Sequence, residues 1–429
     1  MTPVRGAEEG VYVQRLSSDQ EVSERLVPVV LGGDVLAYSY ARCFHEAYGI
    51  RTTVVSGVDV KVTSSSRFVD YHVDDAMTRG EDAIVEMLER MGERLAGEGR
   101  VGLLLGSADW HVRIISHNKE RLERLFVVPY NDFALLDDIT QKGRFYQICD
   151  ELGIDYPDTV SLDCRLPEPG VDLAALRYPL VAKPSNSAAY DLLEFAGKEK
   201  VYELAAPEEL ARVFGLLHEA GYAHDLIVQD FVPGGDDAIR SLTTYSGPDG
   251  ELLAVSGGRV VLQDHSPARI GNPVCILLER SERLIEDARR FCRHVGYRGF
   301  ANFDVKYDER DGSYRFFEVN VRPGANTWYM ALGGVNFAQL IVDDCVLGRE
   351  LPYREAYRDA LYTLVPERVV RDFVADDELR GRALACFSEG RAASPFDYAP
   401  DTLAHRLWSW LRAARQHEKF ERYLGRPRR

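Results

Sequence analysis

The stretch FFEVNVRPG, residues 316 to 324, sets a carboxylate, an amide and a guanidinium at every second position. Glu318, Asn320 and Arg322 alternate with Phe317, Val319 and Val321. Strand side chains point to opposite faces in turn, so one face can bury while the other presents three polar heads roughly 6.5 Å apart. Such a row faces either water or something charged. Upstream, FANFDVKYD puts Asn302, Asp304 and Lys306 on one face in the same alternation. ERDGS joins the two runs, and Asp-Gly in a short polar link is a hairpin signal. In the simplest register Asp304 lies opposite Glu318; a bulge would shift the pairing by one residue. Two adjacent carboxylates repel unless a cation sits between them. Asp304, Glu318 and Asn320 are oxygen donors that leave room for waters and phosphates, which suits Mg²⁺ or Mn²⁺ held with a nucleotide. The plain alternative is a solvated hairpin face of alternating charge.

Other residues could serve an anionic ligand. Lys183 closes the apolar run YPLVAK just before Pro184; there it can aim its ammonium at a phosphate or simply snorkel from a strand end. Lys142 stands in the first turns of a helix predicted after DDITQ, where the helix dipole disfavours cations. A nearby anion would account for it, as would chance on a surface helix. IVQDFVPGGDD breaks a strand at Pro-Gly-Gly. Its backbone could read an adenine edge, with Asp236 or Asp237 on the ribose hydroxyls, but it is equally a plain turn. Arg240, Arg259, Arg269 and His265 remain. Arginines grip carboxylates with a planar fork; the competing reading of each is a strand-face residue paired to a nearby acid.

The elements that must position these groups alternate at first between strand and helix. LVPVVLGG, RTTVVSG, VGLLLGS and LFVVPY read as strands, DVLAYSYARCFHEAYGI and EDAIVEMLERMGERLAG as helices. That alternation predicts a parallel, doubly wound α/β sheet. A dinucleotide fingerprint needs G-x-G-x-x-G; only Gly32 and Gly33 are present. LGGD therefore reads as a tight strand-to-helix turn, with room for a small ligand at the helix N-terminus. From Asn131 the pattern changes to a helix, then mostly strands to about residue 325, an α+β arrangement. Residues 1–24 are polar and expected to be mobile. The end, from about residue 376, is helical, and LAHRLWSWLRAARQHEKFERYL has apolar spacing suited to docking on the body.

A chain of 429 residues predicts two to four domains. The net charge of -16 argues against broad nucleic-acid binding, which needs a positive surplus. Seven scattered cysteines without a CxxC indicate reduced thiols. With no signal-like N-terminus and no run of about 18 apolar residues, the sequence is expected to be cytoplasmic, without a transmembrane segment.

In order, Lys142, Lys183, a hinge with following acids, Asp304 and then Glu-x-Asn-x-Arg resemble the ATP-grasp superfamily over roughly residues 27 to 345. VAKPSNSAAY…FAGKEKVYEL, IVQDFVPGGDDAIRSLTTY and GRVVLQDHSPARIGNPV resemble the D-aspartate ligase group of carboxylate–amine ligases. The resemblance implies a pre-ATP-grasp domain over 25–130, an ATP-grasp domain over 131–375 with a lid subdomain at about 180–232, and a helical extension over 376–429. It implies that Lys142 and Lys183 contact ATP phosphates, that Gln229, Asp230 and Val232 line the adenine, and that Asp236 or Asp237 holds the ribose. Asp304, Glu318 and Asn320 would ligate two Mg²⁺ ions, with Glu318 bridging and Mn²⁺ as a substitute. Arg322 and Lys183 would act at the reaction centre; Arg322, Arg269, Arg240 and His265 would face the substrate. Where many members carry a glycine-rich loop, this chain has SNSAAYDLLEFAG, and residues 184–200 are expected to form a mobile lid. The implied reaction makes an acyl phosphate from a carboxylate and ATP, then an amide by attack of an amine. Implied partners are a small amino acid and an amine acceptor, a peptidoglycan precursor in the D-aspartate case, with oligomeric state open and a homodimer among the options. A dipeptide or small-metabolite ligase, and a nucleotide-binding regulator without turnover, are the alternatives.

Overall fold

A computed structural model describes residues 15–186, 189–190, 193–199, 201–267 and 269–425. The chain divides into two compact units. One comprises residues up to 153 with 235–305 and 318–429, the other 154–234 with 306–317.

The larger unit opens on a parallel sheet of β1 (Leu26–Leu31), β2 (Thr52–Ser56), β3 (Val69–Val73), β4 (Val101–Gly106) and β5 (Phe126–Val127), in the order β3-β2-β1-β4-β5. Every residue of β1 and β4 is buried, as befits central strands covered on both faces. Strand order reverses between these two. After β1 the chain turns through Gly32 at φ +96, where a Cβ would lie 2.2 Å from Ser107 Oγ; only glycine fits both the angle and the space. Asp34 then caps the Val35–Tyr48 helix, accepting from the Leu36 and Ala37 N–H groups at 3.1 Å each. LGGD is thus the tight turn expected of it.

Residues 19–24 depart from the expected mobile segment. Ser18 accepts from the Glu21 N–H at 3.3 Å and starts a helix, Asp19–Arg25, that buries Val22. Ser-x-x-Glu is the capping pattern that signals this start. Residues 1–14 lie outside the described residues.

The smaller unit holds β6 (Thr159–Asp163), β7 (Leu180–Pro184), β8 (Tyr202–Leu204) and β9 (Asp225–Asp230), antiparallel in the order β6-β9-β7-β8. The Pro207–Glu219 helix turns Leu210, Val213, Phe214 and Leu217 into its core, against Leu162, Ala182 and Val228. Of the expected lid at 184–200, residues 187, 188, 191, 192 and 200 lie outside the described residues.

The second sheet of the larger unit is built on β10 (Ile239–Ser246), β11 (Leu252–Asp264) and β12 (Asn272–Leu278), with β13 (Gly299–Asp308) and β14 (Ser313–Asn320) at one edge. Short strands β16 (Leu361–Thr363) and β17 (Ala392–Ala393) finish the other edge, and β15 (Arg354–Glu355) pairs with β11. One core of this unit packs Tyr40 and Phe44 of the Val35–Tyr48 helix with Phe300, Phe337, Val260 and Ile276. The boundary expected at residue 130 therefore separates two sheets that share a core.

Val319 on β14 and Val321 just past its end are buried as the alternation predicts, but the buried phenylalanine is Phe316, at 1% exposure, and not Phe317. The phase slips where the chain passes from one unit to the other, between 317 and 318. The C-terminal expectation also needs correcting. In the Leu403–Ala414 helix the apolar residues Leu403, Leu407 and Trp410 are exposed. His405, fully buried, and Phe420 of the following Gln416–Leu424 helix make the anchorage instead, with Lys419 paired to Asp264. No described helix is long and apolar enough to cross a membrane, and all seven cysteines are free thiols.

Candidate active site

Asp304 on β13 and Asn320 on β14 meet directly: Asn320 Nδ2 donates to Asp304 Oδ2 at 3.1 Å and to the Asn302 carbonyl at 3.3 Å. Asn302, buried behind them, donates to Asp304 Oδ1 at 3.4 Å and accepts from Thr243 Oγ1 at 2.8 Å. Thr243 in turn meets the Tyr329 hydroxyl at 2.6 Å. A satisfied buried network of this kind holds its members rigidly. Burial and the neighbouring Glu318 carboxylate push the Asp304 carboxyl up to about 7. The pair is therefore short of positive charge, and a divalent cation on oxygen donors would supply it. A half-turn of the Asn320 amide would present its oxygen to the same ion. No cluster of three or more His, Cys, Asp or Glu suited to a metal occurs among the described residues. The set is two carboxylates and an amide, which fits Mg²⁺ retaining waters and phosphate oxygens.

Two cations stand beside this set. Lys142, the first residue of the Lys142–Leu152 helix, places Nζ 3.6 Å from Glu318 Oε2. Its unfavourable position at a helix N-terminus is thus offset by a carboxylate. Arg322 donates through Nη2 to Asp109 Oδ2 at 2.6 Å and lies 3.5 Å from Asn320 Oδ1. Its Nε is buried without a hydrogen-bond partner among the described residues. Asp109 escaped the sequence reading. An acid opening the Asp109–His117 helix looks like ordinary dipole complementation, and its partner lies 213 residues away.

In the smaller unit, Lys183 sits half-buried on β7, in register with Ile227 of β9. Gln229 is buried and donates to Thr159 Oγ1 at 3.0 Å. Asp230 is held by Arg310 at 2.6 Å, which also bridges to Asp308 at 2.6 Å. The Val232 carbonyl accepts from Lys306 Nζ at 2.8 Å, so Lys306 is a further cation at the segment expected to line an adenine.

The remaining basic residues mostly have partners within the fold. Asp236 Oδ2 accepts from the Gln263 N–H at 2.8 Å and meets His265 Nε2 at 2.9 Å, a contact that raises the imidazole above its usual range. Arg259 reaches Asp237 at 3.3 Å and Asp376 at 3.0 Å. Arg240 donates to the Asp237 and Ile239 carbonyls at 2.8 and 3.1 Å. Arg269 differs: it has no ion-pair partner among the described residues and lines a cavity with Gly33, Asp34, Ser107 and His111. A larger cavity of about 600 Å³, lined by Lys119, Asp132 and Arg298 among others, contains none of the residues singled out from sequence.

A doubly wound sheet followed by the strands that carry Asp304, Glu318, Asn320 and Arg322 defines an ATP-grasp enzyme, and solved structures bear out the fold. The L-amino acid ligase from Bacillus licheniformis superposes with a TM-score of 0.53 at 15% identity, over 78% of this chain and 75% of that one. The biotin carboxylase domain of the 2-oxoglutarate carboxylase from Hydrogenobacter thermophilus, in complex with MgADP, ADP and bicarbonate, does so with a TM-score of 0.53 at 15% identity, over 78% and 72%. No family model matches the chain. The D-aspartate ligase of Enterococcus faecium (strain Aus0004) is 31% identical over 404 residues, covering 91% of this chain and 93% of that protein. The chain belongs to the D-aspartate ligase family, and is an ATP-grasp ligase of the kind that forms carbon–nitrogen bonds.

Proposed function

We propose that the protein uses ATP to join D-aspartate to an amine of a peptidoglycan precursor, in the cytoplasm. The observation that carries this reading is the similarity to D-aspartate ligase along nearly the whole of both chains. The aspartate carboxylate attacks the γ-phosphate of ATP, giving an acyl phosphate and ADP. The amine then attacks the acyl carbon, giving the amide and inorganic phosphate. Stabilising charge on the moving phosphoryl group is electrostatic and positional work, and no protein nucleophile is needed. Lys142 and Lys183 are assigned to the phosphates, Gln229 and the 230–232 backbone to the adenine, and Asp236 or Asp237 to the ribose. Asp304, Glu318 and Asn320 are assigned to Mg²⁺, with Mn²⁺ as a substitute; the bound metal would neutralise phosphate charge. Arg322, which Asp109 orients, is assigned to the transferred phosphate or the reacting carboxylate.

The test is ADP release screened over D- and L-amino acids, with and without a peptidoglycan precursor, in Mg²⁺. D-aspartate is expected to give the fastest release, stimulated by the precursor. Release driven by a monocarboxylic amino acid, with none from aspartate, would remove the D-aspartate assignment and leave an ATP-grasp ligase of other specificity.

A further inference from the structure

The Leu403–Ala414 helix turns its apolar side away from the protein. At 3.6 residues per turn, Leu403, Leu407, Trp410 and Ala414 fall on one stripe. All four are exposed, Leu403 at 81%, Leu407 at 54% and Trp410 at 63%. Trp408 is exposed too, as are Tyr423 and Leu424 in the Gln416–Leu424 helix. Six of the fourteen large apolar residues exposed among the described residues thus stand within 403–424. Single exposed apolar side chains are ordinary, but a cluster of them on one element marks a contact surface.

The opposite side of the helix holds it in that orientation. Thr402 Oγ1 accepts the His405 N–H at 3.0 Å and caps the first turn. The buried His405 ring meets the Val62 carbonyl at 2.7 Å and the Phe396 carbonyl at 3.0 Å, and stacks on Tyr38 with centroids 4.6 Å apart. Arg412 donates to the Leu364 carbonyl at 3.1 Å and lies over the Phe396 ring. Rolling the helix to bury its leucines would break all of these contacts and leave buried carbonyls without donors. The outward stripe is therefore fixed by polar anchorage on the body, and is not slack packing.

Charge says what covers the stripe. In a chain of net charge -16, residues 403–429 carry eight basic side chains against two acidic ones, Glu418 and Glu421. Arg412 and Lys419 are committed to the body, and Arg422 pairs with Glu418 at 3.1 Å. Arg406 and Arg415, both exposed, flank the stripe on its two sides. Arg426, Arg428 and Arg429 follow in the sequence, outside the described residues. Leucine and tryptophan on one face with arginine at its margins is the make-up of a helix that lies in a bilayer interface. There the indole rings sit at headgroup level and the guanidinium groups meet anionic lipid. We propose that the Leu403–Ala414 helix seats this protein on the surface of an anionic phospholipid bilayer. No described helix is long and apolar enough to cross one, so the contact is with the surface. A second copy docked through the same face would set basic margin against basic margin, which like-charge repulsion opposes. The proposal does not depend on the ligase reading.

The experiment is co-sedimentation of the full chain with vesicles of phosphatidylcholine, alone or mixed with phosphatidylglycerol, at low and high salt. Wild-type protein is expected to partition onto the anionic vesicles roughly tenfold better than onto the neutral ones, and high salt should shrink that preference. Leu407→Ser combined with Trp410→Ser should lower binding to the anionic vesicles roughly tenfold. Arg415→Gln should lower it less, and only at low salt. All three positions are exposed and outside the candidate active site, so melting temperature and ADP release without vesicles should match the wild type. Should the double variant fail to fold, Trp410→Ser alone decides the apolar half. Wild-type protein left in the supernatant with both vesicles overturns the proposal, as do folded variants that bind like the wild type. Equal, salt-independent binding to both vesicles overturns the anionic assignment. A dimer in sedimentation velocity that Trp410→Ser dissolves, with no vesicle binding, would make the face a contact between copies instead.

Discussion

Replacing Asp109 by Asn removes the charge that steadies Arg322 and leaves the side-chain volume. The contact is short, 2.6 Å from Nη2 to Oδ2. Arg322 is 16% exposed and Asp109 50%. A hydrogen bond to a charged group contributes about 1.5–3 kcal/mol, but water around a half-exposed carboxylate screens the pair, so about 1–2 kcal/mol is expected here. At 1.4 kcal/mol per factor of ten, kcat/KM for D-aspartate should fall roughly 5- to 30-fold. Because Asp109 acts only through Arg322, the KM for ATP should stay within about twofold where Arg322 serves the reacting carboxylate, and rise with that for D-aspartate where it serves the transferred phosphate. Asp109→Glu, which restores the charge on a longer stem, should recover part of the loss. The assay is ADP release at varied D-aspartate and varied ATP, with thermal melting to confirm the fold. An Asp109→Asn enzyme with wild-type kcat/KM would show that Arg322 needs no outside support. A lowered melting temperature with a parallel rise in both KM values would show that the pair steadies the domain and not the substrate end.

Glu318→Gln should abolish ADP formation with an unchanged melting temperature, since it removes charge at constant volume beside Asp304; normal turnover would end the metal assignment. Chelation of divalent ions should stop the wild type, and added Mg²⁺ or Mn²⁺ should restore it; turnover in chelator would count against a metal at Asp304. Lys142→Ala and Lys183→Ala should each raise the ATP requirement roughly 10- to 100-fold, the equivalent of about 1.5–3 kcal/mol; unchanged nucleotide affinity in both would make them surface lysines. Stability should fall on acidification through His111. Its folded-state imidazole is depressed to about 4 while the unfolded value is about 6.5, so between these pH values only the unfolded chain binds the proton. The loss attributable to His111 between pH 7 and pH 5 is about 2 kcal/mol. Urea unfolding of wild type and His111→Asn at both pH values measures it, and equal pH slopes would mean the ring is protonated in the fold.

Period-two alternation made the Glu318, Asn320 and Arg322 row legible from sequence, because side-chain direction in a strand follows from backbone geometry alone. The hairpin that brings Asp304 beside Asn320 was legible for the same local reason. So were the parallel sheet, from its alternating strands and helices, and the tight Gly32 turn. Long-range partners were not. Nothing near Lys142 announces Glu318, nothing near Asp109 announces Arg322, and Asp230 meets Arg310 only because distant strands are packed together. Apolar spacing showed that the Leu403–Ala414 helix has a face but not which way it turns. Burial of His405 turned Leu403, Leu407 and Trp410 outward. The partner of a charge and the direction of a face are set by what else the chain brings to the spot. Local sequence carries the first kind of information because hydrogen-bond geometry repeats residue by residue, while the second exists only once segments hundreds of residues apart have packed.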